Sequence, residues 1–575
     1  MTTLTNQPRV SFTPARRVAG VRPYESPSRP AWIDLPLDAN EGPASRRGLE
    51  AVAALGADAL RRYPSAAALE SRLAERWGVA PERVVVTAGG DDAIDRICRA
   101  CLEPGRALVT HAPSFEMIVR SARLAGAETR TVDWIDGPFP ARTMERLIGD
   151  DAGLVALVTP NNPTGAEIDS SGAIRLADAA AARGAMAMLD AAYGDFTDRD
   201  VTADLLSHPA VFVVRTFSKA YGLAGLRVGY AIAPSAEAAS WLRAAGGPYP
   251  TAGASLAAAG SALEGPETER FVRRIREERT ELTALLETLG ARPIQSGANF
   301  VLARFANASF VRSALASVGV AVRGFEGGPM QDALRITLPG EPRDLARLAR
   351  ALRSAVAPEA VLFDLDGVIA DVTGSYRAAI VETARSFGAA ATLEDVARVK
   401  AEGDANNDWI VTRRLIERAR GSAAALEEVV DRFQSLYLGR DGRDGLRERE
   451  RLLVEAEPLR RLAARTKAAI VTGRPRAEVS WFLERFGLRE AFRVVVAQED
   501  APAKPDPAGV RLALERLGAA TAWMIGDTVD DLRAARAAGV VSIGVAATET
   551  ERAVLDRAGA AWVVPNAGEI PEMIR

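Results

Sequence analysis

Arg215-Thr216-Phe217-Ser218-Lys219-Ala220-Tyr221-Gly222-Leu223-Ala224-Gly225-Leu226-Arg227 contains the only lysine that precedes residue 400. The chain has four lysines among its 72 Lys+Arg: Lys219, Lys400, Lys467 and Lys504. An arginine stays protonated, whereas a lysine can lose its proton and attack a carbonyl carbon. The first two-thirds of the chain therefore holds one candidate amine nucleophile. It lies between the apolar run Val211-Phe212-Val213-Val214 and a Gly-rich turn. Scarcity alone decides nothing, because an arginine-rich composition can be a genomic habit. The neighbouring segments decide it.

Outward from that stretch, residues 31–245 alternate short β-branched runs with Ala/Leu/Arg-rich helical patterns. Val84-Val85-Val86 and Leu154-Val155-Ala156-Leu157-Val158 are two of the runs. The alternation predicts an α/β fold, a mainly parallel sheet covered by helices. Residues 1–30 are polar and Pro/Arg-rich and read as an arm. A long charged helix is expected near 265–290, with its charges on a solvated face. Strand-like Asn299-Phe300-Val301-Leu302 and Leu334-Arg335-Ile336-Thr337 then predict a smaller α+β domain over 246–356. Helix-patterned residues 341–355 stop at Ala357-Pro358, and a new strand, Ala360-Val361-Leu362-Phe363, opens a last domain over 357–575. The Arg/Glu-rich stretch from 440 to 465 is expected to be exposed helix and loop.

Length and composition set bounds. At ~150 residues per domain, 575 residues imply three or four domains. A net charge of -3 gives no electrostatic footprint for nucleic acid or an anionic membrane. No apolar run reaches the ~18 residues of a spanning helix, and the N-terminus lacks a signal-peptide core. The expected location is the cytoplasm. Cys98 and Cys101 are spaced C-x-x-C, but no second pair or histidine set completes a zinc site. They are expected to be buried small hydrophobes on one helix.

Four segments have to meet at Lys219. Thr87-Ala88-Gly89-Gly90-Asp91-Asp92, between a strand and a helix, would let backbone N–H groups approach a phosphate. Asn161-Asn162-Pro163-Thr164-Gly165 follows a buried strand, and Leu189-Asp190-Ala191-Ala192-Tyr193 delivers a carboxylate and a phenol. Ser218-Lys219 comes last, with Arg227 eight residues on. Their order and spacing resemble the fold type I pyridoxal-phosphate aminotransferases. That resemblance implies that Lys219 holds the cofactor covalently and carries the proton. It also implies that Asp190 pairs with the pyridinium nitrogen and that Asn162 and Tyr193 hydrogen-bond the ring hydroxyl. Phe115 would stack on the ring, and Gly90, Asp91, Ser218 and Arg227 would hold the cofactor phosphate.

Within that superfamily the chain resembles histidinol-phosphate aminotransferase over residues 18–355. The supporting strings include Val21-Arg22-Pro23-Tyr24, Leu37-Asp38-Ala39-Asn40-Glu41-Gly42-Pro43 and Arg62-Tyr63-Pro64. The resemblance implies a homodimer in which Tyr63 reaches the partner's cofactor phosphate. Tyr24 and Asn40 would line the substrate site, and Arg323 and Arg335 would meet the substrate's anionic groups. Two departures bear on the substrate: Asp190-Ala191-Ala192-Tyr193 stands where Asp-Glu-Ala-Tyr is usual, and the acid after the glycine turn is displaced among Gly90-Asp91-Asp92. Threonine-phosphate decarboxylase shares the resemblance, so amine transfer and loss of carbon dioxide both stay open.

Val361-Leu362-Phe363-Asp364-Leu365-Asp366-Gly367-Val368 places two carboxylates at i and i+2 where a strand ends, so both point the same way. Thr472-Gly473-Arg474, Lys504-Pro505-Asp506 and Gly526-Asp527-Thr528-Val529-Asp530-Asp531 follow in order. The series resembles the haloacid dehalogenase superfamily over 359–575. It implies that Asp364 attacks phosphorus, that Asp366 protonates the leaving oxygen, and that Thr472 and Lys504 hold phosphoryl oxygens. Mg2+ would sit on Asp364, the Asp366 carbonyl and Asp527, while Asp531 orients Lys504. The long insertion between Asp366 and Thr472 resembles a helical cap near 375–455, with Asn406, Asn407, Asp408 and Trp409 as candidate selectivity residues.

Both halves would handle phosphate monoesters. The fusion points to imidazole-acetol phosphate aminated to histidinol phosphate, with glutamate as donor, and then hydrolysed, as in histidine synthesis. The alternatives are a similar pair acting on another phosphorylated amine, or one half serving only as a binding or dimerisation scaffold.

Overall fold

The computed structural model describes residues 13–24, 28–401, 407–440 and 443–574. It divides into two compact units. One is Met1–Ser28, Leu37–Arg304 and Ala333–Leu345; the other is Arg29–Pro36, Phe305–Asp332 and Ala346–Arg575.

The first unit is built on seven strands. Their spatial order is Val84–Thr87, Gly229–Ile232, Val211–Thr216, Met186–Asp190, Ala152–Val158, Ala107–Ala112, Glu128–Asp133. Gly229–Ile232 runs antiparallel to both neighbours, and the remaining pairs are parallel. Ala152–Val158 is buried at every residue, as a strand covered by helices on both faces must be. Helix Gly90–Cys101 buries Ala93, Ile94, Ile97, Cys98 and Cys101, one helical stripe, against this sheet. Cys98 and Cys101 are free and buried, and burial pushes the Cys101 thiol up to about 12. They pack as small hydrophobes. Asp190 is the register partner of Val158 on one side and Val214 on the other. The chain therefore leaves three adjacent parallel strands at one edge, where α/β sheets place their ligands.

The charged helix forms as Glu267–Thr288. One acid departs from its solvated face. Glu278 is fully buried, where its carboxylate accepts from Arg274 Nε at 3.0 Å and Gly340 N at 2.8 Å. Strand Phe300–Arg304 pairs antiparallel with Ala333–Thr337, which sets Leu302 opposite Arg335.

The second unit contains a six-stranded parallel sheet. Its order is Val494–Val496, Lys467–Val471, Ala360–Phe363, Ala522–Gly526, Val541–Val545, Trp562–Val564. Between the first strand in sequence and Lys467–Val471 stand, among the described residues, five α-helices, Tyr376–Ser386, Leu393–Ala401, Asp408–Arg420, Leu426–Leu438 and Ala456–Arg465. Glu450, within the stretch expected to be exposed, is only 2% exposed because a buried arginine claims it.

Segments that precede residue 357 pack directly on this sheet. Phe310 on helix Ala308–Ser317 meets the Trp523 ring at 5.3 Å, and Trp523 Nε1 donates to Ser354 O at 2.7 Å. Arg536 lies over Trp32 at 4.4 Å and donates through Nε to Ser317 O at 3.0 Å. Among the described residues no helix is long and apolar enough to cross a membrane.

Trp523 is 2% exposed and Phe310 8%. Phe310→Ala is expected to destabilise this unit by about 3 kcal/mol through the cavity it leaves. A urea titration followed by tryptophan fluorescence reads this as a lower midpoint for the unit holding the six-stranded sheet.

Candidate active sites

In the first unit, burial at a strand end pushes the Asp190 carboxyl up to about 7. Asp91 adds to this, while Lys219 and Arg215 oppose it. Its Oδ1 accepts from Ala192 N at 3.1 Å. A carboxylate so placed gains from a cation, and a pyridinium nitrogen is one. Lys219 Nζ donates to Ala39 O at 3.3 Å and lies 5.6 Å from the centre of the Tyr193 ring. Tyr193 OH accepts from Asn40 Nδ2 at 3.0 Å.

Asn40 takes a left-handed backbone, φ 54°, a conformation to which asparagine is well suited. Its backbone N donates to Thr337 Oγ1 at 3.1 Å, Thr337 Oγ1 donates to its Oδ1 at 2.9 Å, and its carbonyl accepts from Asn299 Nδ2 at 3.3 Å. Arg335 Nη1 donates to Asn162 Oδ1 at 2.5 Å and Nη2 to Asp38 O at 2.8 Å. Hydrogen bonds thus tie Asn40 to Tyr193, Arg335 to Asn162, and Lys219 and Arg335 to the Asp38–Ala39 backbone beside Asn40, while Lys219 acts on Asp190 through its charge.

The anion cradle is equally local. Helix Gly90–Cys101 has no side-chain cap, so the amides of Gly90 and Asp91 open it free of internal acceptors. Gly89 has φ 86°, and a Cβ there would fall 2.7 Å from Arg227 Nη2. Only glycine lets that guanidinium press against the turn. Arg227 pairs with Asp91 at 2.9 Å, and Thr216 Oγ1 donates to Ser218 Oγ at 2.9 Å. Asp92 is used structurally, accepting from Ala88 N and from Arg96 Nε, both at 2.9 Å. This donor set fits a phosphate ester.

Phe115 caps helix Glu116–Ala125 and packs, half-buried, on the sheet core. Tyr63 is 82% exposed and stacks on Tyr249 at 4.6 Å, and Tyr24 is exposed. Arg323 is the next-to-last residue of strand Val320–Gly324 and belongs to the second compact unit.

In the second unit, Asp364, Asp366, Thr472, Lys504 and Asp527 line one cavity of about 140 Å³ together with Asn407, Asp408 and Trp409. Asn406 lies outside the described residues. Lys504 Nζ is 2.5 Å from Asp364 Oδ1 and 2.5 Å from Asp531 Oδ1, and donates to Val471 O at 3.1 Å. Burial opposes its charge, yet the two carboxylates raise its pKa overall. Burial pushes Asp364 up to about 7 in spite of Lys504, with Asp531 and Asp366 adding to the rise.

Gly367, at φ 76°, lets Asp527 approach the turn: a Cβ there would fall 2.1 Å from Asp527 Oδ2. Among the described residues, no three His, Cys, Asp or Glu side chains form a metal cage. Magnesium does not need one, since it keeps waters and takes one or two carboxylates. The acids present fit it. Asp531 also closes a capping box with Thr528, which fixes its orientation.

Residues 35–352 match the family model for aminotransferase class I and II, and residues 358–539 match that for haloacid dehalogenase-like hydrolase. The chain belongs to the class I and II aminotransferases. A haloacid dehalogenase-like hydrolase domain follows in the same chain. Histidinol-phosphate aminotransferase of Xanthomonas euvesicatoria is 38% identical over 48% of this chain and 80% of its own length. That of Roseiflexus castenholzii is 36% identical over 56% and 89%. An imidazoleglycerol-phosphate dehydratase of Phytophthora nicotianae is 42% identical over 38% of this chain; the match spans about half of that protein, 52%. Among solved structures, histidinol-phosphate aminotransferase from Sinorhizobium meliloti in complex with pyridoxal-5'-phosphate is 26% identical. It covers 56% of this chain and 91% of its own, with a TM-score of 0.52.

Sequence reading of this aminotransferase missed the supports around its expected site residues. Thr337 and Asn299 hold Asn40, and Thr337 sits in the same quoted strand as Arg335. Arg474 was quoted with Thr472 but given no role. Glu450 was hidden in an Arg/Glu run. Glu478, on the hydrolase helix Arg476–Arg485, accepts from Tyr376 OH and from Gln434 Nε2.

Burial, with Asp366 and Glu499 adding, pushes the Glu478 carboxyl up to about 8 from its ordinary 4.5. The folded chain therefore holds a proton that the unfolded chain releases near pH 4.5. That stabilisation is complete below the unfolded pKa and is lost as pH rises through about 8. Glu478→Gln should flatten the fall in urea midpoint of the second unit between about pH 5 and pH 8.

Proposed function

We propose that the chain performs two consecutive reactions on one phosphorylated skeleton. The first half transfers an amino group, from glutamate, to imidazole-acetol phosphate, giving histidinol phosphate. The second half hydrolyses histidinol phosphate with Mg2+. The observation that carries the reading is the Lys219 cluster and the Asp364–Lys504–Asp531 cluster in a single chain, with relatives over much of it named histidinol-phosphate aminotransferases. The dehydratase relative, named for another imidazole phosphate, supports an imidazole-bearing substrate.

Pyridoxal phosphate, when bound, supplies an electron sink for the carbon that loses its proton. Lys219 would hold it covalently and move that proton. Asp190 would face its ring nitrogen, Asn162 and Tyr193 its hydroxyl, and Phe115 its ring. Gly90, Asp91, Ser218 and Arg227 bind its phosphate. Arg335, Tyr24 and Asn40 would recognise the substrate. The exposed Tyr63 reaches into a second copy, so the working form is a homodimer in the cytoplasm.

In the hydrolase half, Asp364 attacks phosphorus as the ester P–O bond breaks, and Asp366 gives its proton to the leaving oxygen. Asp366 then takes a proton from the water that releases inorganic phosphate and restores Asp364. Thr472 and Lys504 hold the phosphoryl oxygens. Asp364, the Asp366 carbonyl and Asp527 would hold Mg2+, which would neutralise charge on the transferring phosphoryl group. Asp408 and Trp409 suit a substrate with an ammonium group and a flat ring.

The test is mass spectrometry of the full chain given imidazole-acetol phosphate, glutamate, pyridoxal phosphate and Mg2+. Histidinol is the expected product. Lys219→Ala should abolish the amine step, and Asp364→Asn should stall the sequence at histidinol phosphate with hydrolysis at least about a thousandfold slower. No conversion, by protein that binds its cofactor and hydrolyses generic phosphate esters, would remove the histidine substrates and leave the two chemistries.

A further inference from the structure

Asp366 does not stand alone at the cavity wall. Arg474 Nε donates to its Oδ1 at 2.5 Å, and Nη2 of the same guanidinium is 2.5 Å from that oxygen. On its other side, Arg474 Nη1 donates to Glu450 Oε2 at 3.0 Å. Arg474 is 2% exposed. Its guanidinium lies over the Tyr376 ring at 4.6 Å and 5.6 Å from the Phe482 ring centre. Glu450 Oε1 accepts from Ser375 Oγ at 2.9 Å and Tyr437 OH at 3.0 Å.

The partners fall into two groups. Asp366 and Arg474 follow strands of the parallel sheet; Ser375, Tyr376, Tyr437 and Glu450 come from the helical insertion or its flanks. One planar guanidinium therefore spans from the DxD turn to the insertion. Its fork of donors can hold two carboxylates at fixed angles, which an ammonium cannot reproduce. Losing it would leave Glu450 buried without a counter-charge.

We propose that Arg474 is a positioning residue that aligns Asp366 and couples that alignment to the helical insertion through Glu450. The acid–base carboxyl is then in register with the leaving oxygen only while the insertion is packed over the cavity. This rests on the phosphatase reading. It gives Arg474 a signature that a general packing role lacks. An alkyl alkoxide must receive the Asp366 proton as its P–O bond breaks, whereas 4-nitrophenolate leaves without one.

The experiment compares kcat/KM of the full chain for an alkyl phosphate monoester and for 4-nitrophenyl phosphate, in wild type, Arg474→Lys and Glu450→Gln. Arg474→Lys is expected to lower kcat/KM for the alkyl ester about a hundredfold and that for the aryl ester less than about threefold. Glu450→Gln should show the same split at smaller size. Equal losses on both esters, or no loss on the alkyl ester, would overturn the proposal. If the wild type hydrolyses neither ester, the phosphatase reading has failed, and hydrogen exchange judges the brace instead. Arg474→Lys should then speed amide exchange in residues 367–377 and 443–452, and unchanged exchange there overturns it.

Discussion

Asp190 and Asp364 are each delivered by a parallel strand to its carboxyl end and buried there, where water can no longer stabilise their charge. Burial raises both to about 7, and in each case the lysine nearby compensates only in part. Around Asp190, Lys219 and Arg215 oppose the rise. Around Asp364, Lys504 bridges to Asp531 and Asp527 stands close by across Gly367. A buried carboxylate of this kind gains from a nearby cation.

Supports for these carboxylates come from far along the chain. Asn40 is fixed by Thr337 and Asn299, some 297 and 259 residues away in sequence. Arg474 is fixed by Tyr376, Tyr437 and Glu450 of the insertion. Such long-range hydrogen bonds can be made only after the sheets are assembled. The geometry of each site is therefore a late product of tertiary packing, although its chemical groups are set by short local strings.

That division explains what could be read in advance. The strands around Asp190 and Asp364 were legible because fully buried parallel strands are continuous apolar runs, as in Leu154–Val158 and Val361–Phe363. The DxD pair was legible because alternation along a strand puts i and i+2 on one side. Glu450 and Glu278 were not, because a buried acid looks like any other acid until its arginine is placed. The packing of Phe310, Ser354 and Trp32 on the six-stranded sheet was equally hidden. Those residues precede the joint near 357 and follow the pattern of the domain before it.

Two basic residues of the hydrolase cavity, Arg474 and Lys504, are divided by geometry. Arg474 sits where a buried charge must hold two carboxylates with a planar fork, and no proton has to leave. Lys504 sits where three acceptors, Asp364 Oδ1, Asp531 Oδ1 and Val471 O, surround a point. A tetrahedral ammonium offers three donors to meet them and remains small enough to leave the phosphoryl position open. A guanidinium there would fill the cavity that Asp364 must face. In a chain that otherwise uses arginine almost throughout, the retained lysine at 504 marks a position where size and donor geometry exclude the common residue. Lys219 is the one lysine before residue 400, and of the two basic residues only a lysine can lose its proton and attack a carbonyl.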